Sequence, residues 1–138
     1  MNVKTISSEE LRKQVTALDF KMVYIPHERI KYHNACYNVM VEGKRIFPPA
    51  AQSLRIPLNE IWISEHWEKY KKFILYHELR EIEYRRQGAT AEDAHFLSQK
   101  DCILMWKDDP VWRKGLVELH IQDVLTRIED IGSQKKIR

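Results

Sequence analysis

The feature that most constrains the fold is an uninterrupted run of helix-compatible residues in the middle of the chain. Residues 64–87 contain neither proline nor glycine, the two residues that most often end a helix. Ser64 stands where an N-cap is expected, and Gly88 stands where a helix C-cap belongs. The sequence therefore predicts one long helix over this run, followed by a turn at Gly88.

The predicted helix has a broad apolar side that becomes polar in its second half. At about 100° per residue, Glu78 falls within about 20° of Trp67, near the middle of that side. His77 and Glu81 lie on one flank, about 40° apart, which is the usual offset of residues four apart. The apolar side is formed by Trp67, Tyr70, Ile74, Leu75 and Ile82.

A divalent metal would explain why carboxylates lie on this half-buried face. Burying a carboxylate is costly unless a partner compensates its charge. Neutral imidazole and carboxylate oxygen are good zinc ligands, and His77 and Glu81 can chelate one ion from a single helix face. A second helix, capped by Thr90, is predicted to fold back after Gly88 and to carry His95 as the third ligand.

Ordinary structural roles for the same residues stay open. Glu81 and Arg85 are spaced for an exposed ion pair along one helix face. Glu78 could instead pair with Arg85 or with Lys71. The two histidines could be core residues whose rings bind backbone groups.

The remaining segments predict an α+β fold. A capping box that opens at Ser7 predicts a helix to about Leu18. Short strands are predicted at KMVYI, at YNVMV and RIF around a hairpin turn at Gly43, and at EIWIS, with PPAAQSLRIP as a loop. A last helix is predicted from Asp109 to about Ile131. The fold would be a small antiparallel sheet packed on the long helix and two further C-terminal helices.

The composition favours one folded domain over residues 1–138. The net charge is +3 with acidic and basic residues interleaved, which by itself does not indicate nucleic acid. Neither Cys36 nor Cys102 belongs to a CxxC pair, which excludes a four-thiolate zinc site. No apolar run is long enough to span a membrane. We therefore expect a cytoplasmic protein with reduced thiols and no membrane partner.

The stretch from Glu60 to Cys102 resembles the core of a minimal zincin-like metallopeptidase domain. EIWIS is similar to the short edge strand of such domains, and FILYHEL to the entry into their motif helix. GATAEDAHFL is similar to the turn and the ligand-bearing second helix. The chain departs from the usual H-E-x-x-H motif at the last position, where Glu81 makes it H-E-x-x-E.

The resemblance implies a metal-dependent hydrolase, a peptidase that uses a metal-activated water. It implies zinc, or another single divalent ion, held by His77, Glu81 and His95, with Glu78 as the general base. The substrate would be a peptide or protein, held in extended form along the edge strand EIWIS. The exchanged ligand leaves open a catalytically inactive zincin-like binding module for a protein or nucleic-acid partner.

Two other functions compete with the hydrolase. Aromatic and basic residues of HWEKYKKF could face nucleic acid, through base stacking and charge, or a partner protein, as in a binding module without catalysis. The segment EDAH, which ends at His95, is a Glu-x-x-His motif of the di-iron bundle kind, but those bundles need two such motifs. The oligomeric state cannot be read from the sequence. No pattern assigns a role to His27, His33, Cys36, His66 or His120.

Overall fold

The structure is a computed structural model that describes residues 6–119 of the chain. These residues fall into two compact units, divided after Trp106. In the second unit, residues 110–119 are helical. The predicted end of that helix near Ile131 lies outside the described residues, and the single domain over residues 1–138 stays a prediction. The first unit contains α1 (Ser8–Ala17), β1 (Lys21–Ile25), β2 (Ala35–Val41), β3 (Lys44–Ile46), α2 (Ala50–Leu54), β4 (Glu60–Ser64), α3 (Lys71–Arg86) and α4 (Ala91–Trp106).

Three helices begin at the capping residues that the sequence predicted. The Ser7 hydroxyl accepts a hydrogen bond from the Glu10 backbone N–H at 3.1 Å. The Thr90 hydroxyl accepts from the Asp93 N–H at 3.2 Å, which opens α4. In the second unit, the Asp109 carboxylate accepts from two backbone N–H groups at 2.9 and 3.2 Å. Each cap satisfies donors that the first helical turn leaves unpaired, so these starts could be read from local sequence.

The sheet has four strands in the order β1-β4-β2-β3. The strands β2 and β3 form the predicted hairpin, and β4 pairs with β2 in antiparallel orientation. The strand β1 runs parallel to β4, with Ile25 opposite Ser64. The α+β class is confirmed, whereas the prediction of a purely antiparallel sheet is wrong at this one pair. The hairpin and α2 lie between β1 and β4 in the chain, and such a long connection lets the chain enter β4 from the same end as β1.

The strand β4 lies inside the sheet and not at its edge. Its two neighbours, β1 and β2, occupy both of its hydrogen-bonding sides. The prediction that EIWIS is an edge strand that holds an extended peptide is therefore wrong. An added peptide strand needs unpaired backbone groups, and β4 has none on either side over its paired length.

The predicted long helix consists of two different helical segments. Residues Glu65–Tyr70 form a 3₁₀ helix, and the α-helix α3 begins only at Lys71. Trp67, with φ −107° and ψ 19°, departs from helical geometry inside the first segment. The predicted apolar side is nevertheless buried as a whole, because the tighter segment still turns Trp67 and Tyr70 inward.

A second local difference occurs in the segment predicted as a loop. There the chain forms the short helix α2, which follows Pro49 and ends at Arg55 in the left-handed region, with φ 57°. Proline is compatible with the start of a helix because its missing N–H would find no helical partner there. One helical turn of five residues has too little periodicity to be predicted from pattern alone.

The two faces of the sheet are covered by different helices. Cys36 on β2 packs in a buried apolar cluster with Ala51 and Leu54 of α2. The next residue, Tyr37, reaches Glu81 on α3 through a hydrogen bond. Successive strand side chains point to opposite faces, so α2 and α3 lie on opposite sides of the sheet.

The helices α3 and α4 pack against each other and form the support of the candidate site. Trp106 at the end of α4 is fully buried, with its ring edge-to-face against Phe73 and Tyr76 of α3. The buried Ser98 hydroxyl donates a hydrogen bond to the backbone carbonyl of His77. Within residues 6–119, no helix is both long and apolar enough to cross a membrane.

Candidate metal centre

Three side chains from α3 and α4 converge on one point. The His77 Nε2 and His95 Nδ1 atoms lie 3.2 Å apart. Each lies 3.3 Å from the same Glu81 carboxylate oxygen, Oε2. These are the three residues that the sequence predicted as metal ligands. They form the one group of potential ligand residues found among residues 6–119 that could hold an ion.

The spacing of the three atoms fits a tetrahedral metal ion. Zinc binds histidine nitrogen and carboxylate oxygen at about 2.0–2.1 Å, so two tetrahedral ligand atoms lie about 3.3 Å apart. The three separations are 3.2, 3.3 and 3.3 Å. The histidines are four and fourteen residues from Glu81, one on the same helix and one beyond the turn at Gly88. Two imidazoles and one carboxylate are also a chemically suitable donor set for zinc.

Glu81 is held in its ionised form by its neighbours. Its side chain is buried, and the Tyr37 hydroxyl donates a hydrogen bond to its other oxygen, Oε1, at 2.8 Å. Burial alone would raise the pKa of Glu81, but the contacts with His77, His95 and Tyr37 outweigh it and lower this pKa to about 2. The phenol of Tyr37 stays protonated, because burial and the nearby carboxylates raise its pKa. Oε1 is therefore occupied, and Oε2 is the oxygen directed toward the histidines.

The outer nitrogen of each imidazole also has a partner. The His77 Nδ1 atom lies 3.8 Å from the Cys102 sulfur, and the His95 Nε2 atom lies 3.1 Å from the amide nitrogen of Gln99. Burial raises the pKa of Cys102 to about 12, so its thiol stays protonated at neutral pH. The Cys102 sulfur can accept a hydrogen bond from the Nδ1–H that His77 carries when its Nε2 binds a metal. For His95 the amide oxygen of Gln99, and not its nitrogen, would have to face Nε2 when Nδ1 binds a metal.

The site opens to solvent on the α4 side. The side chain of His95 is 55% exposed, whereas those of His77 and Glu81 are 18% and 8% exposed. The histidine from α4 therefore forms the rim of the site, and the two α3 residues form its floor. The hydrogen bond with Glu81 raises the pKa of His95, although the partial burial of its ring opposes this effect.

Glu78 lies in the protein interior beside this cluster. It is 8% exposed, and no described residue forms a hydrogen bond or an ion pair with its side chain. Burial, and then the charge of Glu81, raise the pKa of Glu78 well above its ordinary value. Burial raises the pKa of both Cys36 and Cys102, and the charge of Glu78 adds to this effect.

The structure does not show the ion pairs that were the structural alternatives. The Arg85 guanidinium donates to the backbone carbonyl of Phe47 at 3.2 Å, and the described contacts pair it with neither Glu78 nor Glu81. The described ion pairs do not join Lys71 to Glu78 either. The prediction of a clustered metal site thus agrees with the geometry better than the paired-charge alternative.

The other motifs do not assemble into sites within the described residues. Glu92 of the EDAH segment is exposed and does not belong to the ligand cluster. His33 is exposed while Cys36 is buried, so the HNAC segment does not form a paired site. Trp67 and Tyr70 are 2% and 4% exposed, so neither offers a ring face on which a base could stack.

Sequence reasoning missed an aromatic and polar cluster at the ends of β1 and β4. The His27 Nδ1 atom lies 2.7 Å from the Ser64 hydroxyl, and the His27 ring stacks on His66 at 5.0 Å. The Tyr32 ring contacts His27 edge-on at 5.3 Å. The parallel pairing of Ile25 with Ser64 brings the residues that follow β1 and β4 together, and no sequence pattern indicated this pairing. His120 lies outside the described residues.

Comparison of the chain with protein-family models, with curated proteins and with solved structures finds no match. The resemblance to zincin-like domains therefore stays a prediction that rests on the sequence segments themselves. What the structure adds to it is the convergence of His77, Glu81 and His95.

Proposed function

We propose that this protein binds one zinc ion through His77, Glu81 and His95 and is a metal-dependent hydrolase, most simply a peptidase of the zincin-like kind. The observation that carries the proposal is the near-equilateral arrangement of one oxygen and two nitrogens at 3.2–3.3 Å. That arrangement supports one tetrahedral ion with a ligand position left over. Zinc bound there would supply Lewis acidity toward a carbonyl group and toward water.

Residues from β2, α3 and α4 would have different roles in such a site. His77 and Glu81 form a rigid floor because both lie on α3, and Tyr37 and Ser98 fix them from β2 and α4. His95 completes the set from the exposed side, where a substrate has access. The partly open rim admits a substrate carbonyl, while the buried floor limits the number of waters that can reach the ligands.

Glu78 is the proposed general base. It follows the first ligand directly in the chain, and its carboxyl group has no described partner that would hold its proton or its charge. Burial, and then the charge of Glu81, raise its pKa above the ordinary value, which makes its carboxylate a stronger proton acceptor. In hydrolysis, Glu78 would accept a proton from the attacking water and deliver it to the leaving amine.

A catalytically inactive metal-binding module is the second candidate. The observation in its favour is the interior position of β4 in the sheet. The resemblance to zincin-like peptidases implies a free strand edge for peptide binding at that strand. Such a module would use the same three ligands to hold two helices together for a protein partner. It differs from the hydrolase in having no requirement for Glu78.

The experiment that separates the two candidates uses Glu78→Gln. The zinc-loaded wild type and variant are incubated with a mixed-sequence peptide library, and cleavage is followed by mass spectrometry. We expect the wild type to cleave peptides and Glu78→Gln to be inactive with unchanged zinc content and melting temperature. Glu92→Gln, an exposed glutamate near His95, is the matched control and should remain active.

One result would count against the hydrolase, and another would count against the role of Glu78 alone. A zinc-loaded wild type that cleaves nothing in the library supports the inactive module. A Glu78→Gln variant that cleaves as fast as the wild type removes Glu78 from the mechanism, whatever the activity.

A further inference from the structure

The three arginines of α3 differ in how their charges are neutralised. Arg80 donates to the Asp101 carboxylate at 2.9 Å. Arg86 is paired with Glu83, and more distantly with Glu42 at 3.5 Å. Arg85 alone of the three has no carboxylate partner among the described residues.

The single described hydrogen bond of Arg85 goes to a neutral group. One of its terminal nitrogens donates to the backbone carbonyl of Phe47 at 3.2 Å. A guanidinium has five N–H donors arranged in a planar fork, so most of this donor capacity is unused. The bond to Phe47 fixes the side chain without neutralising its charge. Arg85 is also only half-buried.

Arg85 lies beside the candidate metal centre. It follows Glu81 by four residues on α3, so the two side chains leave the same helix face one turn apart. Its charge acts on the Tyr37 hydroxyl, which is itself bonded to Glu81 at 2.8 Å. Arg85 therefore follows two of the three ligand residues, His77 and Glu81, along one side of α3.

We propose that Arg85 binds an anionic group of the substrate, a carboxylate or a phosphate, next to the candidate metal centre. The inference rests on the proposed function, because it assigns a substrate class to that same site. A divalent cation held by Glu81 and a guanidinium four residues further along α3 both attract negative charge. The fork of Arg85 can bind two oxygens of such a group at once. For a peptidase, the anionic group would be a chain terminus or an acidic side chain.

The test measures anion binding directly and does not depend on turnover. Inorganic phosphate and acetate are titrated into the zinc-loaded and the metal-free protein at low salt, and backbone amide shifts are followed by NMR. The proteins compared are wild type, Arg85→Gln, Arg85→Lys and Arg86→Gln. Arg86 is the matched control because it is the next residue on the same helix and is already paired with Glu83.

We expect Arg85→Gln to weaken anion binding by about tenfold or more, in keeping with the loss of a charge-assisted hydrogen bond. Arg85→Lys should lie between it and the wild type, and Arg86→Gln should stay within about twofold of the wild type. Stronger binding of phosphate than of acetate would assign the site to phosphate-bearing substrates, and the reverse order to carboxylates. The Lys variant keeps a donor for Phe47, so it controls for any loss of folding in Arg85→Gln.

The proposal is overturned if the wild type binds neither anion, if Arg85→Gln binds like the wild type, or if Arg86→Gln loses as much affinity as Arg85→Gln. Zinc affinity is measured on the same samples by competition with a chelator. If zinc binds normally but Arg85→Gln binds anions as the wild type does, only the proposed role of Arg85 is excluded. If the wild type shows no zinc affinity, the proposed function itself is excluded.

Discussion

The hydroxyl of Tyr37 donates to Oε1 of Glu81 at 2.8 Å, across 44 residues of sequence. This bond ties the central part of the sheet to the ligand-bearing face of α3. It also decides which carboxylate oxygen is available, because Oε1 is occupied and Oε2 faces His77 and His95. The sheet thus takes part in the site through one hydroxyl group.

Replacing Tyr37 with Phe should weaken both zinc binding and the fold. The change leaves a buried carboxylate oxygen without its donor, which costs about 1–3 kcal/mol of unfolding free energy. Loss of a partner that orients a ligand should lower zinc affinity by about tenfold to a hundredfold. Urea unfolding and chelator competition measure the two effects.

The control for that change is Tyr24→Phe. The Tyr24 hydroxyl is buried with no hydrogen-bond partner among the described residues, so its removal should cost little. Zinc affinity in Tyr37→Phe equal to that of the wild type would show that Tyr37 does not orient Glu81 for a metal.

Removing metal should lower the thermal stability of the protein. The ligands come from α3 and α4, so a bound ion links the two helices and stabilises only the folded state. At a free zinc concentration of about a hundred times Kd, binding adds about 2.7 kcal/mol, and removal should lower Tm by roughly 5–10 °C. Differential scanning calorimetry with and without chelator measures this shift.

The same scan on His95→Ala provides the comparison, because that variant lacks one ligand and should respond little to chelator. An unchanged Tm in the wild type after verified metal removal contradicts a site that is coupled to folding.

The pH dependence of stability should carry a contribution from His27. Burial first, and the adjacent His66 second, lower the pKa of His27 below its ordinary value of 6.5, while Glu28 opposes them. The folded state therefore disfavours the charged imidazole. The stability that this provides is present above pH 6.5 and is lost as the pH falls below it, through the folded-state pKa.

Urea unfolding from about pH 7.5 down to about pH 5.5 tests the effect. The loss of unfolding free energy should be smaller in His27→Gln than in the wild type. His33→Gln, which changes an exposed histidine, should follow the wild type. An NMR titration that places the pKa of His27 above 6.5 would contradict the argument.

The parts of the fold that could be predicted from the sequence are those fixed by nearby residues. Ser7, Thr90 and Asp109 cap helices through groups two or three residues away, so their signals are local. The spacing of His77 and Glu81 is a property of one helix, and Gly88, with φ 107°, makes the turn that brings His95 back to them. The candidate ligand set was therefore predictable.

The features of the fold and site that were not predicted depend on contacts between segments distant in sequence. The parallel pairing of β1 with β4 depends on how the intervening hairpin and α2 pack, which strand periodicity does not encode. The 3₁₀ segment reflects the burial of Trp67 against rings that include His27 and His66. The bond from Tyr37 to Glu81 depends on the register of the sheet, so a supporting tyrosine could not be predicted from the spacing of residues on α3.

The central claim is that His77, Glu81 and His95 hold one zinc ion, and the zinc affinity of His95→Ala tests it most directly. Affinity is measured by competition with a chromophoric chelator, with His33→Ala as the exposed-histidine control. We expect the wild type and His33→Ala to bind one equivalent of zinc with equal affinity. His95→Ala should bind it about a hundredfold or more weakly, because one of three protein ligands is lost. A His95→Ala protein with wild-type affinity, or a wild type that binds no zinc, would contradict the claim.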